Sequence, residues 1–478
     1  MIFCSRIYNS QPSTNFWFAS EYNTNNGQLY NGNNGTLNGN NRINSNSARA
    51  FLDSLIKQTE EDARFIPYGD FVRAYKTTRN RKRKKISQLL FEFNQAENII
   101  EIFISVNSFE YIPKSSIGFL LGKPRPRECI ASDFCDRIVQ TIFVEKLTPY
   151  FEANYLHPNS YACRIGRGGL AAAYTLVNQI NYVTNFGKKD AWIFKTDIRS
   201  FFTSIDTDLW FPRVAELIRK LYNKPDVELI IYLARIIYQS TPQNHCILKT
   251  PCQDIEDVLP SHKRLIGRDN GIGVCIGNRA NQFLANIINS DILYQYNKYR
   301  VICSLYTDDC VGIMEDKTVI TKIVIPFISN YLKNECHLDI HPHKMYIQHA
   351  SKGVNFLAYR IKNGVVTPSK RIAHSIHWYI TRTLNYYKDD AIFIERDAVK
   401  IMQVLNSYFG ILKWCSSYNI RKSIHDSLSS NKAFRKIFDI SYTKITIKKK
   451  FKKSYIIAEE NRKRKHKNKN YTPWKKYQ

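Results

Sequence analysis

Apolar positions divide the chain into a long mixed region and a shorter helical one. Between about Ile117 and Ser369, apolar runs of strand length are interspersed with longer stretches of helical spacing. From Arg371 to about Asp439 the spacing is mostly helical, and the repeat is carried by Ile401, Val404, Leu405, Tyr408 and Leu412. The pattern predicts an α+β region followed by a helical C-terminal unit.

One β-rich run leads into a pair of acids. Val301–Tyr306 is rich in strand-forming side chains, Thr307-Asp308-Asp309 follows, and Cys310–Ile313 is apolar again. This order is typical of a hairpin whose tight turn carries two carboxylates. A polar turn without chemistry is the alternative, because acidic turn residues are common.

A further carboxylate follows a second apolar run. Trp192-Ile193-Phe194 passes into Lys195-Thr196-Asp197, which predicts Asp197 near a strand end. Two strands with acids at their tips can form one metal site, and hard cations such as Mg²⁺ prefer carboxylate oxygen. We therefore expect Asp197 and Asp308 to be direct ligands, with Asp309 as a weaker ligand or helper.

A glycine-rich segment lies between the two acidic motifs. Gly271–Gln282 contains three glycines, and Phe283, Leu284, Ile287, Ile288 and Ile292 follow at helical spacing. A loop that enters a helix is predicted, and its backbone can approach a base pair or a phosphate closely. An ordinary glycine-rich turn is the alternative.

The composition points to a polyanionic partner. The chain has 478 residues, 44% hydrophobic content and a formal net charge of +29, with a pI near 9.6. Such an excess of positive charge is typical of nucleic-acid binding, although a basic surface can also serve solubility alone.

The eleven cysteines show no repeated short spacing, so a reducing cytosol is expected. No apolar run is long enough to cross a membrane, and His245, Cys246 and Cys252 lack the paired spacing of a zinc site.

Both ends of the chain differ in composition from the middle. Residues Asn15 to Asn46 are dominated by Asn, Gly and Ser, which predicts a segment outside the core. Arg79 to Lys85 is a basic run, and Lys444 to Lys476 is a Lys/Arg-rich tail with interleaved aromatics. Such a tail suits a phosphate backbone.

Taken in chain order, these residues resemble motifs A, B and C of reverse transcriptases. The resemblance implies a right-hand polymerase with fingers, an antiparallel palm sheet with helices, and a helical thumb. It implies catalysis by Asp197, Asp308 and Asp309, with two Mg²⁺ ions, or Mn²⁺, bound by these residues and Ile198. Phe202, five positions after Asp197, resembles the steric gate that selects deoxynucleotides.

The glycine segment is similar to one branch of that family. Ile276 and Gln282 replace the glutamine and proline that retroviral, retron and group II intron enzymes usually carry, and diversity-generating retroelements show this combination. The resemblance implies that the incoming nucleotide is contacted by Ile276, Gly277 and Gln282. It also implies that template or primer is contacted by Arg279, Asn281 and Tyr306. Asn281 departs from the serine that is usual in this branch.

Other segments resemble the same branch. Lys123 and Arg127 lie in a segment similar to the fingers and are candidates for the triphosphate. Lys344 lies in a segment similar to motif D, which makes it the candidate general acid. Gly353 and Phe356 lie in a segment similar to the primer grip, where Ala358 replaces a usual glycine. Residues 406–410 and 418–422 resemble thumb helices.

The resemblance divides the chain as follows. Residues 1–50 form an Asn-rich extension, predicted to be disordered, and residues 51–190 the N-terminal region and fingers. Residues 191–369 form the palm, with part of the fingers inserted at about 211–265. Residues 370–440 form the thumb, and residues 441–478 the basic tail.

The expected function is a cytoplasmic RNA-directed DNA polymerase that copies a template-repeat RNA into cDNA with errors at adenines. Its expected partners are template RNA, primer, dNTPs and a small basic accessory oligomer. Association with a membrane is not expected. A retron or antiphage-defence reverse transcriptase is the alternative, and a catalytically dead nucleic-acid-binding protein is a third. The Asn-rich start is either a translated template repeat, because Asn codons are adenine-rich, or a plain extension.

Overall fold

The computed structural model describes residues 45–80, 85–122, 126–389, 393 and 395–448. The helices are α1 (Ser45–Glu61), α2 (Tyr68–Arg79), α3 (Ile86–Phe93), α4 (Gln95–Asn107), α5 (Phe134–Asn154), α6 (Gly169–Val183), α7 (Phe201–Ser204), α8 (Thr207–Leu221), α9 (Val227–Gln239), α10 (Cys252–Val258), α11 (Arg279–Asn297), α12 (Lys317–Val319), α13 (Ile325–Cys336), α14 (Lys370–Tyr386), α15 (Glu395–Leu412), α16 (Tyr418–Ser430) and α17 (Lys432–Ile437). The strands are β1 (Ile117–Leu121), β2 (Arg127–Ala131), β3 (Trp192–Asp197), β4 (Ile247–Leu248), β5 (Ile302–Tyr306), β6 (Asp309–Met314), β7 (Tyr346–His349), β8 (Val354–Phe356), β9 (Tyr359–Lys362), β10 (Val365–Pro368), β11 (Phe438–Ile440) and β12 (Ile445–Ile447).

The chain forms two compact units. The first comprises Met1–His157, Ile198–Asp291 and Asn330–Asp339, and the second comprises Pro158–Asp197, Ile292–Ser329 and Ile340–Gln478. Of the predicted Asn-rich extension and basic tail, residues 1–44 and 449–478 lie outside the described residues. Helix α1 begins at Ser45, within the range predicted to be disordered.

A four-stranded antiparallel sheet organises the second unit. Its strand order is β5-β6-β3-β7. Strands β5 and β6 form a hairpin in which Tyr306 pairs with Asp309 across the two residues Thr307 and Asp308. The hairpin predicted from the strand-forming run around the acidic turn is therefore confirmed, and so is the strand that ends at Asp197.

One face of this sheet is apolar at one end and acidic at the other. Ile193 on β3 and Ile313 on β6 are cross-strand partners and share the face with Val311. These side chains pack in a core with Leu176 of α6 and Phe356 of β8. Because side chains alternate along a strand, the same face continues to Asp197 and Asp309 at the other end.

On the opposite face of the sheet, Gly312 leaves room for an aromatic ring. Gly312 lies against Phe194, and a Cβ atom at position 312 would collide with the ring. Phe194 also lies against Tyr296, with the ring centroids 5.7 Å apart. The absence of a side chain at Gly312 therefore lets these aromatic rings close the sheet face.

Helices α14 to α17 and the β11–β12 hairpin form a separate core in the second unit. This core contains Ile376, Leu405, Leu412, Leu428, Phe434 and Ile445. Ile401, Leu405 and Leu412 are buried, as the helical spacing predicts. The helical character predicted for this stretch is confirmed, and the β11–β12 hairpin adds to it.

The first unit is mostly helical. Its small sheet has the order β2-β1-β4, in which β1 and β2 are antiparallel and β4 adds a short parallel pair. Buried Glu128 on β2 accepts hydrogen bonds from the backbone N–H groups of Leu265 and Ile266. Burial raises the pKa of this carboxyl, and the two donors oppose the rise.

The predicted mixed class of helices and antiparallel sheet is confirmed. The assignment of fingers, palm and thumb stays a prediction. None of the described helices is long and apolar enough to cross a lipid bilayer.

Candidate active site

The three candidate carboxylates lie at one end of the second unit's sheet. Asp197 is the last residue of β3 and is the cross-strand partner of Asp309, the first residue of β6. Asp308 occupies the turn before β6, next to Thr307, whose φ is +59°. A left-handed β-branched residue is uncommon, and such strain concentrates at functional sites.

Lys195 fixes the position of Asp309. Its ammonium donates to Oδ2 of Asp309 at 2.9 Å and to the backbone O of Asn355 at 3.1 Å. The same ammonium is 6.0 Å from the centroid of the Phe356 ring. Lys195 therefore ties the acidic hairpin to strand β8. It was not among the predicted site residues, although its place two residues before Asp197 puts both side chains on one face of β3.

Lys344 contacts Asp197. The segment before β7 is anchored by the N–H of His341, which donates to the backbone O of Asp197 at 2.7 Å. The Lys344 ammonium then donates to Oδ1 of Asp197 at 2.8 Å. The side chain of Lys344 is 49% exposed and that of Asp197 is 14% exposed, so the pair lies at the rim of the site.

Burial and mutual repulsion disfavour ionisation of the carboxyls. Burial is the main cause that raises the pKa of Asp308 to about 6, and the negative charge of Asp197 is the second. Burial also raises the pKa of Asp309, although Lys195 opposes that rise. Two lysines thus face three carboxyls, so the three carboxylates, when all are ionised, exceed these two cations by one charge.

The residues present fit a divalent cation in charge and ligand type. Oδ1 of Asp309 is buried and has no hydrogen-bond donor among the described residues; it is 2.9 Å from the Lys195 ammonium, without hydrogen-bond geometry. A cation would supply the missing positive charge to carboxylate oxygens of the type that Mg²⁺ prefers. In their present rotamers, however, no three His, Cys, Asp or Glu side chains of the described chain converge on one point. This applies to the aspartates, two of which are held by lysines, and to His245, Cys246 and Cys252.

Three further candidates lie in the second unit. Tyr306, at the end of β5, is half-buried, and burial raises its pKa. Gly353 is buried with φ at +70°, and a Cβ there would meet the carbonyl of Ile361 at 2.5 Å, so the position requires glycine. Phe356 is fully buried in the core, which leaves its backbone for any contact with a primer.

In the first unit, Phe202 and the glycine loop form one local structure. The N–H of Val274 donates to the backbone O of Phe202 at 2.8 Å, and that of Gly273 donates to Ile205 at 2.7 Å. Phe202 is half-buried and meets Phe201 edge-on, with the centroids 5.5 Å apart. The structure therefore holds the gate candidate against the loop.

The loop's other candidates divide into accessible and structural ones. Gly277 is exposed with φ at +105°, and Ile276 and Gln282 are partly exposed. Asn281 is buried and donates to the backbone O of Cys275 at 3.0 Å, so its amide stabilises the loop. Arg279 pairs with Glu145 at 3.0 Å.

Of the three remaining candidates, the structure describes Arg127 and Ile198. Arg127 is exposed at the start of β2, whereas Lys123 lies outside the described residues. The side chain of Ile198, directly after Asp197, is buried.

The chain matches no family model and no curated protein. It is similar to the solved telomerase from Candida albicans in complex with a TWJ fragment of telomeric RNA, at 9% identity and a TM-score of 0.42, over 66% of this chain and 55% of that one. Apo telomerase from Candida tropicalis is similar at 11% identity and a TM-score of 0.40, over 68% of this chain and 58% of that one. The chain thus spans little more than half the length of these structures. Similarity at this level of identity and TM-score does not establish a function, which has to be inferred from the residues of the site.

Proposed function

We propose that the chain is an RNA-directed DNA polymerase that works by two-metal-ion nucleotidyl transfer. The observation that carries the proposal is the placement of Asp197, Asp308 and Asp309 at one end of one antiparallel sheet. Asp197 lies more than a hundred residues before the other two, so the fold has brought separate segments together around one acidic cluster. The excess of positive charge in the whole chain supports a polyanionic substrate.

Each polar residue of the cluster has a distinct role in this proposal. Asp197, Asp308 and Asp309 would hold Mg²⁺, or Mn²⁺, which when bound activates the primer hydroxyl and stabilises the departing pyrophosphate. Lys195 orients Asp309 and limits the repulsion among the acids. Lys344 offers a proton donor at the rim, suited to the leaving pyrophosphate.

Nucleotide selection is assigned to the first unit. Phe202 would exclude the ribose 2′ hydroxyl, since its ring is half-buried beside Phe201 and its backbone is bonded to the glycine loop. Ile276, Gly277 and Gln282 offer partly exposed groups for the incoming base pair. Arg127 is an exposed cation that can bind triphosphate oxygens.

The finer proposal is a diversity-generating retroelement enzyme that makes cDNA from a template-repeat RNA with errors at adenines. Ile276 and Gln282 support it, because an aliphatic side chain at position 276 cannot donate or accept the hydrogen bonds that a glutamine makes. A cytoplasmic location and a small basic accessory oligomer belong to the same proposal.

Primer extension on an RNA template with Mg²⁺ tests the polymerase proposal. Asp308→Ala should abolish DNA synthesis, because a metal ligand cannot be replaced by a methyl group. Asp190→Ala is the matched control, since it removes an exposed carboxylate near the opposite end of β3. Unchanged synthesis by the Asp308 variant would refute the proposal.

Sequencing of the products tests the finer proposal. Ile276→Gln should reduce misincorporation opposite adenine, while Ile272→Gln, a partly exposed isoleucine of the same loop, should leave it unchanged. Equal adenine error rates in wild type and Ile276→Gln would favour a retron-type or antiphage-defence polymerase instead.

A further inference from the structure

Three aromatic rings form a continuous row in the second unit, away from the acidic cluster in sequence. Tyr418 and His425 belong to α16, and Tyr442 lies in the turn between β11 and β12. The His425 and Tyr442 rings are stacked, with centroids 4.4 Å apart and planes 29° apart. Tyr418 continues the row, 6.2 Å from Tyr442 at an interplanar angle of 33°. We call these three rings the aromatic row.

The aromatic row is not part of the neighbouring core. Tyr418 is 59% exposed and Tyr442 is 40% exposed, whereas Ile424 and Leu428 on the inner face of the same helix are buried. An exposed tyrosine pair costs little in water when its hydroxyl groups remain solvated. The row therefore offers ring faces and edges to a flat ligand.

The charged residues that neighbour the row in the sequence are mostly positive. Lys422 and Lys444 are exposed, and the Nε group of Arg421 is buried without an acceptor among the described residues. Asp426 pairs with His425 at 2.9 Å, and Asp439 is an exposed acid of β11. The hairpin that carries Tyr442 leads into residues 444–478, which contain 14 Lys and Arg against two Glu.

We propose that the aromatic row is a stacking platform for an unpaired nucleic-acid strand. Bases inside a duplex already stack on each other, whereas an unpaired base has free faces that Tyr or His rings can cover. Lys422, one turn after Tyr418 on α16, and Lys444, two residues after Tyr442, are exposed and supply contacts for the phosphates of the same strand. The aromatic row would hold a single-stranded segment whether or not the proposed catalysis is correct.

Binding of the full chain to a fluorescent single-stranded oligonucleotide tests this inference by anisotropy. Tyr418→Leu and Tyr442→Leu keep apolar bulk and remove the aromatic faces, so each should weaken binding roughly tenfold. Tyr418→Phe and Tyr442→Phe keep the stacking surface and should bind like wild type. Tyr182→Leu, an exposed tyrosine of the same unit on α6, is the matched control and should also bind like wild type.

Two further measurements separate stacking from charge. Affinity for a blunt duplex should not change in the Leu variants, and the slope of log affinity against log salt should match wild type, since no phosphate contact is lost. Equal losses for duplex and single strand, or full binding by the double Leu variant, would overturn the inference. A chain that synthesises no DNA but shows these differences would refute the polymerase proposal alone.

Discussion

The ammonium of Lys195 lies 2.9 Å from Oδ2 of Asp309, at the point where strand β6 leaves its acidic turn. Lys195 and Asp309 come from segments 114 residues apart, and they are 19% and 21% exposed. The same ammonium reaches the backbone of Asn355, so one cation connects the candidate metal ligands with β8. Lys195 therefore holds the Asp309 side chain in place within the candidate site.

Lys195→Met should therefore damage both stability and activity. It would leave the Asp309 carboxylate half-buried without its cation, which we expect to lower the free energy of unfolding by about 2 kcal/mol. The rate of primer extension should fall at least tenfold, roughly 1.4 kcal/mol in barrier height, because Asp309 loses its orientation. Urea denaturation and extension assays measure the two effects.

The double variant Lys195→Met/Asp309→Asn is the control for that interpretation. Removing both charges should restore most of the lost stability while synthesis stays low. If the double variant is no more stable than Lys195→Met, the loss arises from packing and not from an unpaired carboxylate.

Lys344 allows proton donation to be separated from charge pairing. Lys344→Met should lower the single-turnover rate of nucleotide addition about a hundredfold, the usual size of a general-acid contribution. Lys344→Arg keeps a cation that can pair with Asp197, but arginine does not release a proton in proteins. The Arg variant should stay nearly as slow as the Met variant, and recovery of the rate would mean that Lys344 acts only through its charge.

The sequence predicted the acidic hairpin and the strand that ends at Asp197, because strand-forming apolar runs and an acidic turn are local signals. The pairing of Lys195 with Asp309 depends on the register between β3 and β6, which no local pattern reveals. The same holds for Asn281, which resembles a template contact in sequence but donates its amide to Cys275. Tertiary packing decides which group a polar side chain bonds to. The residue types in the sequence therefore indicated where the site is, but not which hydrogen bonds its side chains make.

Phe202 should determine the choice between deoxynucleotides and ribonucleotides. Phe202→Val removes the ring while leaving the backbone bond to Val274 in place, so the ratio of dNTP to rNTP incorporation should fall roughly tenfold or more. Phe202→Tyr keeps the ring and should preserve the ratio. Competition assays with matched dNTP and rNTP pairs measure it, and an unchanged ratio in the Val variant would assign Phe202 to the core alone.

Asp136 should make the free energy of unfolding depend on pH. The residue is 6% exposed, and its carboxyl accepts hydrogen bonds from the Tyr111 hydroxyl at 2.5 Å and the Lys114 N–H at 3.1 Å. Burial is the main cause that raises its pKa to about 6. The folded chain therefore binds a proton more tightly at this carboxyl than the unfolded chain, whose Asp pKa is about 3.9.

Because the folded chain binds this proton more tightly, protonation of Asp136 stabilises the folded state. The stability that Asp136 contributes is fully present below about pH 4 and is lost as the pH rises through about 6. Asp136→Asn keeps an acceptor for Tyr111 but cannot ionise. Between pH 4.5 and 7.5, wild type should lose about 2 kcal/mol more unfolding free energy than this variant, as measured by urea denaturation at both pH values. Parallel losses in the two proteins would show that Asp136 does not titrate in this range, and a larger loss in the Asn variant would reverse the assigned direction.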